Sequence, residues 1–488
     1  MTRLIINGTP VEASENATLL ETATGLGIQV PTLCHLPDRP PLTSCMICVV
    51  EDTRTGRLVP ACAARVEEGM VIETDSEAVL HARRTVLEMM LSEHVGDCEA
   101  PCERACPAGL NIPLMLRLLE RGDRDTARTM ARQALVMPAA LGRVCTAPCE
   151  AGCRRGALDD PVAIRDLHGF LGETGVPDAE RAPVEPSGRN IAVIGASPAG
   201  LAAAFVLRGY GHACRVYEKQ PQAGGKFLEF SEEQLPRAVL DKDIAHLVRS
   251  GIGFVLDTEA GKDISFESLV EQYDAVVVAC PLDFPGKAGV FHAEEKNMPV
   301  RSVASGKRAA DNVQAYLIRK EKQNSRAYNS IIGRLQEKEA AAFAENRLSE
   351  AARSRPRDAS RPEEEAARCL HCDCHAPVSC KLRQYATTYG ARSKTFRNAE
   401  RPLPRGVRRY GDVIFDVGKC IKCGICIEIT RESRAPCGMS FTGRGFTMEV
   451  TVPFDESLEK ALAACASECV ARCPTGALAF ETLEERLP

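Results

Sequence analysis

The sequence has no tryptophan, and aromatic residues fill only 5% of its 488 positions. That is too few for the stacking surfaces on which single-stranded nucleic acids bind. An excess of positive charge is missing as well. The net charge is −5, so no basic field draws in a phosphate backbone. Long apolar runs are absent: the longest, Ile191 to Leu207, is broken by Gly195, Pro198 and Gly200 and reads as strand–turn–helix rather than as a membrane span. Met1-Thr2-Arg3 leads straight into the strand-like Leu4-Ile5-Ile6, without a secretory pattern. These absences predict a globular, cytoplasmic chain with no membrane span and no nucleic-acid partner. A content of 44% hydrophobic and 26% charged residues excludes a disordered one.

Cysteine is what the sequence has in plenty, 23 residues. A chain of this length needs no disulfides to hold a core, and a cytoplasmic one keeps its thiols reduced, so the density points to metal. The prediction is an iron–sulfur protein. Four cysteines lie between Cys34 and Cys62, six between Cys98 and Cys153, four between Cys369 and Cys380, and seven between Cys420 and Cys473, while Cys214 and Cys280 stand apart. A Pro-containing linker, Val176 to Gly188, follows the second clump. A polar stretch with Arg334, Glu337, Lys338 and Glu339 reads as a solvated helical connector before the third.

In the first clump, Leu4-Ile5-Ile6 and Val11-Glu12-Ala13 flank Asn7-Gly8, which tolerate the positive φ of a tight hairpin turn. A helical pattern from Thr18 to Leu26 precedes Cys34, Cys45, Cys48 and Cys62, spaced C-x10-C-x2-C-x13-C. Four thiolates, two of them close on one loop, can supply two ligands to each iron of a 2Fe–2S centre. A zinc site, the alternative, usually pairs two short C-x2–4-C units. The runs Val30-Pro31-Thr32-Leu33-Cys34-His35, Ser44-Cys45-Met46-Ile47-Cys48 and Val59-Pro60-Ala61-Cys62 resemble the plant-type-like ferredoxin domain that opens the large iron–sulfur subunit of complex I and iron-only hydrogenases.

In the second clump, Asp75 or Ser76 can cap a helix with apolar Val79, Leu80, Leu87, Met90 and Leu91. Cys98, Cys102 and Cys106 follow His94, and Cys145, Cys149 and Cys153 come later, both triplets spaced C-x3-C-x3-C. Six thiols are two short of two four-ligand clusters. The pattern resembles the N-terminal helical domain of the glutamate synthase small subunit and of dihydropyrimidine dehydrogenase, which holds two 4Fe–4S clusters by interleaving its triplets, with one ligand other than Cys. That resemblance places His168, in Pro161-Val162-Ala163-Ile164-Arg165-Asp166-Leu167-His168, beside Cys106, Cys145 and Cys149. It leaves Cys98, Cys102 and Cys153 as a second set lacking a fourth ligand, for which His94 is the candidate. His94-x3-Cys98 also resembles the His-plus-three-Cys site of complex I, although there the next gaps are C-x2-C and C-x5-C. An imidazole ligand removes negative charge and raises the cluster potential. The alternative is that both histidines are surface or capping groups.

Asn190 to Leu201 reads as a buried strand turning into a helix, and the strand Cys214 to Tyr217 ends at Glu218. This layout brings a pyrophosphate onto a helix N-terminus and an acid onto a ribose hydroxyl. Gly224-Gly225-Lys226 and Tyr273 to Ala279 resemble later parts of glutamate-synthase-type FAD domains. The resemblance implies FAD contacts at Gly195, Ser197, Gly200, Glu218, Lys219, Gly225 and Lys226. Three departures stand against it. Ser197 replaces the middle glycine, where the backbone approaches phosphate closely. The second, NADPH-binding unit of that family has no counterpart between Cys280 and Asn312, and the usual Gly-Asp has become Ala293-Glu294. The alternative is an empty, structural fold.

Cys369, Cys372, Cys374 and Cys380, spaced C-x2-C-x1-C-x5-C, form a compact four-thiol set that suits 4Fe–4S in this context, with zinc as the alternative. Cys420, Cys423 and Cys426 are the C-x2-C-x2-C half of a ferredoxin site, completed by Cys473 in Cys473-Pro474-Thr475-Gly476. This arrangement, with Gly443-Arg444-Gly445-Phe446 between, resembles the ferredoxin-like part of complex I's large iron–sulfur subunit and of iron-only hydrogenases. A two-cluster version needs Cys where Thr430 stands, so Cys437, Cys465 and Cys469 are left without a role.

The expected architecture is a multidomain α+β and α/β chain. A β-grasp 2Fe–2S domain spans 1–75, a helical domain with two 4Fe–4S clusters 76–175, and a truncated FAD-binding Rossmann-like domain 189–318. A helical connector (319–366), a short 4Fe–4S segment (367–400) and a ferredoxin-like 4Fe–4S domain (401–488) follow. One 2Fe–2S cluster, four 4Fe–4S clusters and FAD are expected, with no nucleophile–base constellation. The mosaic resembles the iron–sulfur electron-transfer subunit of NAD-linked complexes, some of them electron-bifurcating. It implies a relay in a hetero-oligomer, between an FMN-containing, iron–sulfur NADH dehydrogenase-like subunit and a hydrogenase, formate dehydrogenase or ferredoxin-reducing partner. The alternatives are a self-contained glutamate-synthase-type oxidoreductase and a redox sensor or scaffold.

Overall fold

The computed structural model describes residues 1–174, 184–282, 287–319, 327–344, 361–396 and 406–481; most of the expected linker at 176–188 and much of the connector at 319–366 lie outside them. The chain divides into two compact units. The first is Met1–Glu99, Ser325–Arg347 and Cys372–Pro488, and the second is Ala100–Asn324 with Leu348–His371.

The first unit opens on a mixed sheet of β1 (Thr2–Ile6), β2 (Thr9–Ala13), β3 (Val49–Asp52), β4 (Arg57–Pro60) and β5 (Val71–Glu73), in the order β2-β1-β5-β3-β4. Asn7 and Gly8 both take positive φ and close the expected hairpin, pairing Ile6 with Thr9. Strand β1 alternates buried and exposed, so Leu4 and Ile6 enter the core. The helix Leu19–Gly25 starts in a capping box between Thr18 and Glu21. Ser76 caps the helix Glu77–Glu93, whose buried stripe is Val79, Arg83, Leu87 and Leu91, four residues apart; Leu80 faces out. Arg83 sits in that stripe because its guanidinium donates to Val49 O at 2.8 Å and to Tyr389 Oη at 3.2 Å, and a buried cation is tolerated when its donors are met.

The second unit begins with helices. Ile112–Glu120 is capped by Asn111, Arg124–Leu135 by Asp123, and Pro138–Val144 packs on Ile164–Glu173. Glycines allow the last pair its closeness: a Cβ at Gly142 would overlap Gly169 Cα, and one at Gly172 would overlap the Ala139 backbone. Beyond them lies a five-stranded parallel sheet of β6 (Asn190–Ile194), β7 (Ala213–Tyr217), β8 (Gly253–Val255), β9 (Ala275–Val278) and β10 (Val290–His292), ordered β10-β9-β6-β7-β8. Its central strands, Ile191 to Ile194 and Ala275 to Val278, are buried throughout, as strands covered on both faces should be.

The last part of the first unit holds β11 (Val407–Tyr410), β12 (Val413–Asp416) and β15 (Leu478–Phe480) in one antiparallel sheet. A separate hairpin pairs β13 (Ser440–Thr442) with β14 (Glu449–Thr451).

Candidate iron–sulfur centres

Cys34, Cys45, Cys48 and Cys62 are all buried, none more than 3% exposed. They form two close pairs. The Cys45 thiol hydrogen-bonds to Cys34 and draws it down to about 5, while Cys45 itself is pushed up. Cys62 does the same for Cys48, drawn down to about 7. Two pairs of neighbouring sulfurs are the donor set that a two-iron centre takes, one pair to each iron. Met46, with φ of 51°, turns the Cys45–Cys48 loop back on itself.

In the second unit Cys106, Cys145, Cys149 and His168 line one cavity, walled by Leu110, Ile112, Leu135, Leu141, Ile164 and Val300. His168 is buried, and burial lowers its pKa to about 4, so the ring is neutral. Its Nδ1 lies 3.2 Å from Pro138 O. A carbonyl only accepts, so Nδ1 carries the proton and Nε2 keeps the lone pair a metal would use. The glycines at 142, 169 and 172 bring the two helices near enough for that bond, a signal not read from the sequence. Burial and the neighbouring thiols push Cys145 and Cys149 up; thiols so placed ionise only in exchange for a cation.

Cys420, Cys423, Cys426 and Cys473 line another cavity, in the first unit. Burial raises Cys420 to about 12 and Cys426 well above the ordinary thiol range. Lys422 takes a φ of 57°, and its N–H reaches Cys420 Sγ at 3.4 Å. The C-x2-C loop that begins at Cys369 repeats this turn, with His371 at φ 44° and its N–H 3.4 Å from Cys369 Sγ. Backbone amides aimed at a sulfur stabilise a thiolate and tune a cluster bound to it. Among the described residues no group of three or more His, Cys, Asp or Glu converges on one metal ion; in these two cavities the candidate residues surround a void. Thr430 Oγ1 accepts from Met439 N at 2.9 Å, a capping role at the position where a second ferredoxin cluster needs Cys. Cys465 Sγ donates to Ala461 O, Cys437 Sγ lies on Pro453 O, and Cys469 shares the cavity of Cys473.

The remaining thiols do not group as expected. Cys374 N donates to Cys98 O at 3.2 Å, and the Cys98 and Cys380 sulfurs accept from Ser330 N at 3.3 Å and Arg383 N at 3.4 Å. Burial pushes both thiols up, with Cys374 as a like-charged neighbour of each. The expected set of Cys98 with Cys102 and Cys153 came from the family resemblance and that of Cys374 and Cys380 with Cys369 from spacing, whereas a contact distant in the chain sets Cys374 beside Cys98. In the second unit, Cys153 lies near Arg368, next to Cys369. Arg368 is 2% exposed and bonds to Glu365 at 2.6 Å and Asp159 at 3.2 Å.

The Rossmann-like loop fits a pyrophosphate poorly. Gly195 has the expected positive φ, but Ser197 Oγ accepts from Gly200 N at 3.3 Å and donates to Ala279 O at 2.8 Å. The serine thus caps the helix Pro198–Gly209 with the amide that a phosphate would take. Glu218, expected on a ribose, is held by Ala196 N at 2.7 Å and Gln220 N at 3.0 Å. Gly225 packs on Ser197, where a Cβ would lie 2.7 Å from Ser197 Cα. Lys226 Nζ bonds to Lys296 O, and Lys219 is exposed.

Comparison with known proteins agrees at the level of domains. Residues 1–77 match a 2Fe-2S iron-sulfur cluster binding domain, residues 70–178 dihydropyrimidine dehydrogenase domain II (4Fe-4S cluster), and residues 193–251 an NAD(P)-binding Rossmann-like domain. The chain is 33% identical over 221 residues to the NADP(+)-dependent formate dehydrogenase subunit beta of Moorella thermoacetica, covering 40% of this chain and 31% of that protein. It is 34% identical over 186 residues to the NADPH-Fe(3+) oxidoreductase subunit beta of Geobacter sulfurreducens, 37% and 28% respectively. With the glutamate synthase (NADPH) small chain of Bacillus subtilis it shares 33% over 177 residues, 36% of each. The chain therefore spans about a third of the length of these relatives. An NAD+-reducing NiFe-hydrogenase structure aligns loosely, with a TM-score of 0.37 at 12% identity over 99% of this chain and 88% of that one, too loosely to carry an argument. Among the described residues no helix is long and apolar enough to cross a membrane. The chain carries 2Fe–2S, 4Fe–4S and NAD(P)-binding Rossmann-like domains, and several of its relatives are oxidoreductase subunits.

Proposed function

We propose that this chain is the electron-relay subunit of a multisubunit NAD(P)-linked oxidoreductase, cytoplasmic, with electron bifurcation left open. The observation that carries the reading lies in the first unit, where Cys34, Cys45, Cys380 and Cys423 pack in one apolar cluster with Leu33 and Leu87. Ser44 Oγ, beside Cys45, also donates to Cys423 O at 2.8 Å. Ligands from three thiol groups thus share one dry core, the arrangement a chain of one-electron carriers requires. When bound, the clusters supply one-electron transfer. The residues proposed to hold them are Cys34, Cys45, Cys48 and Cys62 for a 2Fe–2S cluster, Cys106, Cys145, Cys149 and His168 for one 4Fe–4S cluster, and Cys420, Cys423, Cys426 and Cys473 for another. His94, Cys98, Cys102, Cys153, Cys369, Cys372, Cys374 and Cys380 supply two more. The apolar walls exclude water, and the amides aimed at the sulfurs hold the thiolates in place.

The proposed partners are an FMN-containing NADH dehydrogenase-like subunit and a metalloenzyme, such as a formate dehydrogenase or hydrogenase, or a ferredoxin. FAD is the cofactor expected at the Rossmann-like loop. The internally bonded amides of Ala196 and Gly200 argue against it. The same bonds weigh against a self-contained glutamate-synthase-type enzyme. Anaerobic purification of the native protein, with mass-spectrometric identification of what stays bound, tests the reading. An NADH dehydrogenase-like chain together with a metalloenzyme is the expected result. A lone chain that oxidises NAD(P)H rapidly with a dye would refute the relay.

A further inference from the structure

We propose that Cys98, Cys374 and Cys380, together with His94, form a single 4Fe–4S site of the first unit, and that the chain of the second unit is inserted between the first two of its thiols. The inference rests on the iron–sulfur reading above and changes the grouping that the resemblance and the cysteine spacing suggest.

Cys374 N donates to Cys98 O at 3.2 Å, which fixes the two residues side by side although both segments of the second unit lie between them in sequence. The three sulfur-bearing residues are 8%, 5% and 7% exposed. Ser330 N at 3.3 Å and Arg383 N at 3.4 Å point at the Cys98 and Cys380 sulfurs, and Cys380 caps the helix Lys381–Thr388. Such donors favour the thiolate a metal requires. Gly476 faces the third sulfur: a Cβ there would run into Cys374 Sγ. Lys419 is 2% exposed, donates to Asp373 O at 3.0 Å, and lies with Arg383 near Cys98, so positive charge is already buried beside the thiols.

His94 belongs to the same strap. It ends the helix Glu77–Glu93 in extended backbone, and Val95 N bonds to Gly418 O at 2.8 Å, pinning the short run from His94 to Cys98 along the segment that carries Lys419. At 8% exposed, the imidazole is a buried donor four residues before Cys98. The exchange leaves Cys102, Cys153 and Cys369 as three thiols of the second unit. The first unit consists of Met1–Glu99, Ser325–Arg347 and Cys372–Pro488, so the site would draw its ligands from the first and last of these segments.

The test uses the full-length chain purified anaerobically, with iron per chain and low-temperature EPR as readouts. Cys98→Ala and Cys374→Ala are expected to remove the same 4Fe–4S signal, with about four iron atoms lost. Cys102→Ala and Cys369→Ala should remove a different one. Two variants that keep the protein intact check the result. Gly476→Ala should weaken the signal lost in Cys98→Ala, and His94→Cys should keep that signal at a lower midpoint potential while His94→Ala loses it. The grouping is overturned if Cys98→Ala and Cys102→Ala remove one signal in common while the signal lost in Cys374→Ala survives. An unchanged spectrum in His94→Ala would remove that residue from the site. A wild-type chain without any cluster signal would sink the iron–sulfur reading beneath it.

Discussion

His168 offers the sharpest test of the helical site. With a pKa of about 4, the imidazole is protonated in roughly one molecule in a thousand at pH 7. Its Nδ1 proton is committed to Pro138 O at 3.2 Å. A cluster held by Cys106, Cys145, Cys149 and a neutral ring carries one negative charge fewer than a four-thiolate cluster. The variant His168→Cys restores that charge. One unit charge at roughly 4 Å, under an effective dielectric of about 20, is worth on the order of 4 kcal/mol. For a one-electron couple that corresponds to about 170 mV. His168→Cys is therefore expected to keep its iron and lower one 4Fe–4S midpoint potential by on the order of 100–200 mV, while His168→Ala loses about four iron atoms. Anaerobic redox titration followed by EPR measures both. A His168→Cys protein with full iron and every midpoint within about 30 mV of wild type would show that the ring does not ligate.

Gly142→Ala forces the helices Pro138–Val144 and Ile164–Glu173 apart, at a cost of about 1–3 kcal/mol; EPR should show it weakening the signal lost in His168→Ala while leaving the 2Fe–2S signal. Arg368→Met leaves Glu365 buried without its 2.6 Å partner, which should cost about 3–5 kcal/mol in denaturant unfolding. Adding Glu365→Gln should recover part of that loss, and no recovery would mean the pair is not the cause. Asp243 is buried, and burial raises its pKa to about 7 although Ala140 N donates to it at 2.8 Å. The folded state holds the proton that the unfolded chain releases near 4, so the contribution is complete below about pH 4 and is lost as pH rises through 7, at most about 4 kcal/mol in all. Asp243→Asn should remove that decline between about pH 4 and 7, and parallel urea midpoints for the two proteins across that range would refute it. Cys214, raised to about 12 by burial in β7, should be replaceable by Ala with iron content and EPR unchanged.

The loops of the first and last clumps were legible because part of each cysteine pattern is local. Cys45 and Cys48 share one turn, Cys420 to Cys426 share another, and the backbone bears the turns out at Met46 and Lys422. The buried run Ile191 to Ile194 and the hairpin at Asn7-Gly8 were legible for the same reason. Leu80 was misplaced because a hydrophobicity pattern cannot foresee that Arg83, with two acceptors waiting, takes the buried side of its helix. Ser197 could be seen as a departure, but not that its hydroxyl would cap the helix it opens. The neighbours of Cys98 were hidden most deeply, since no local rule links it to a residue beyond an inserted unit. Which loops meet is decided by apolar packing, here Leu33, Leu87, Leu91 and Leu382 gathered around Cys34, Cys45 and Cys380. Burying such side chains is worth about 1.5–3 kcal/mol each, and they can bring the loops together before any metal binds. The thiols are then carried to their partners by the core, so the grouping of ligands follows the packing of leucines and not the order of cysteines along the chain.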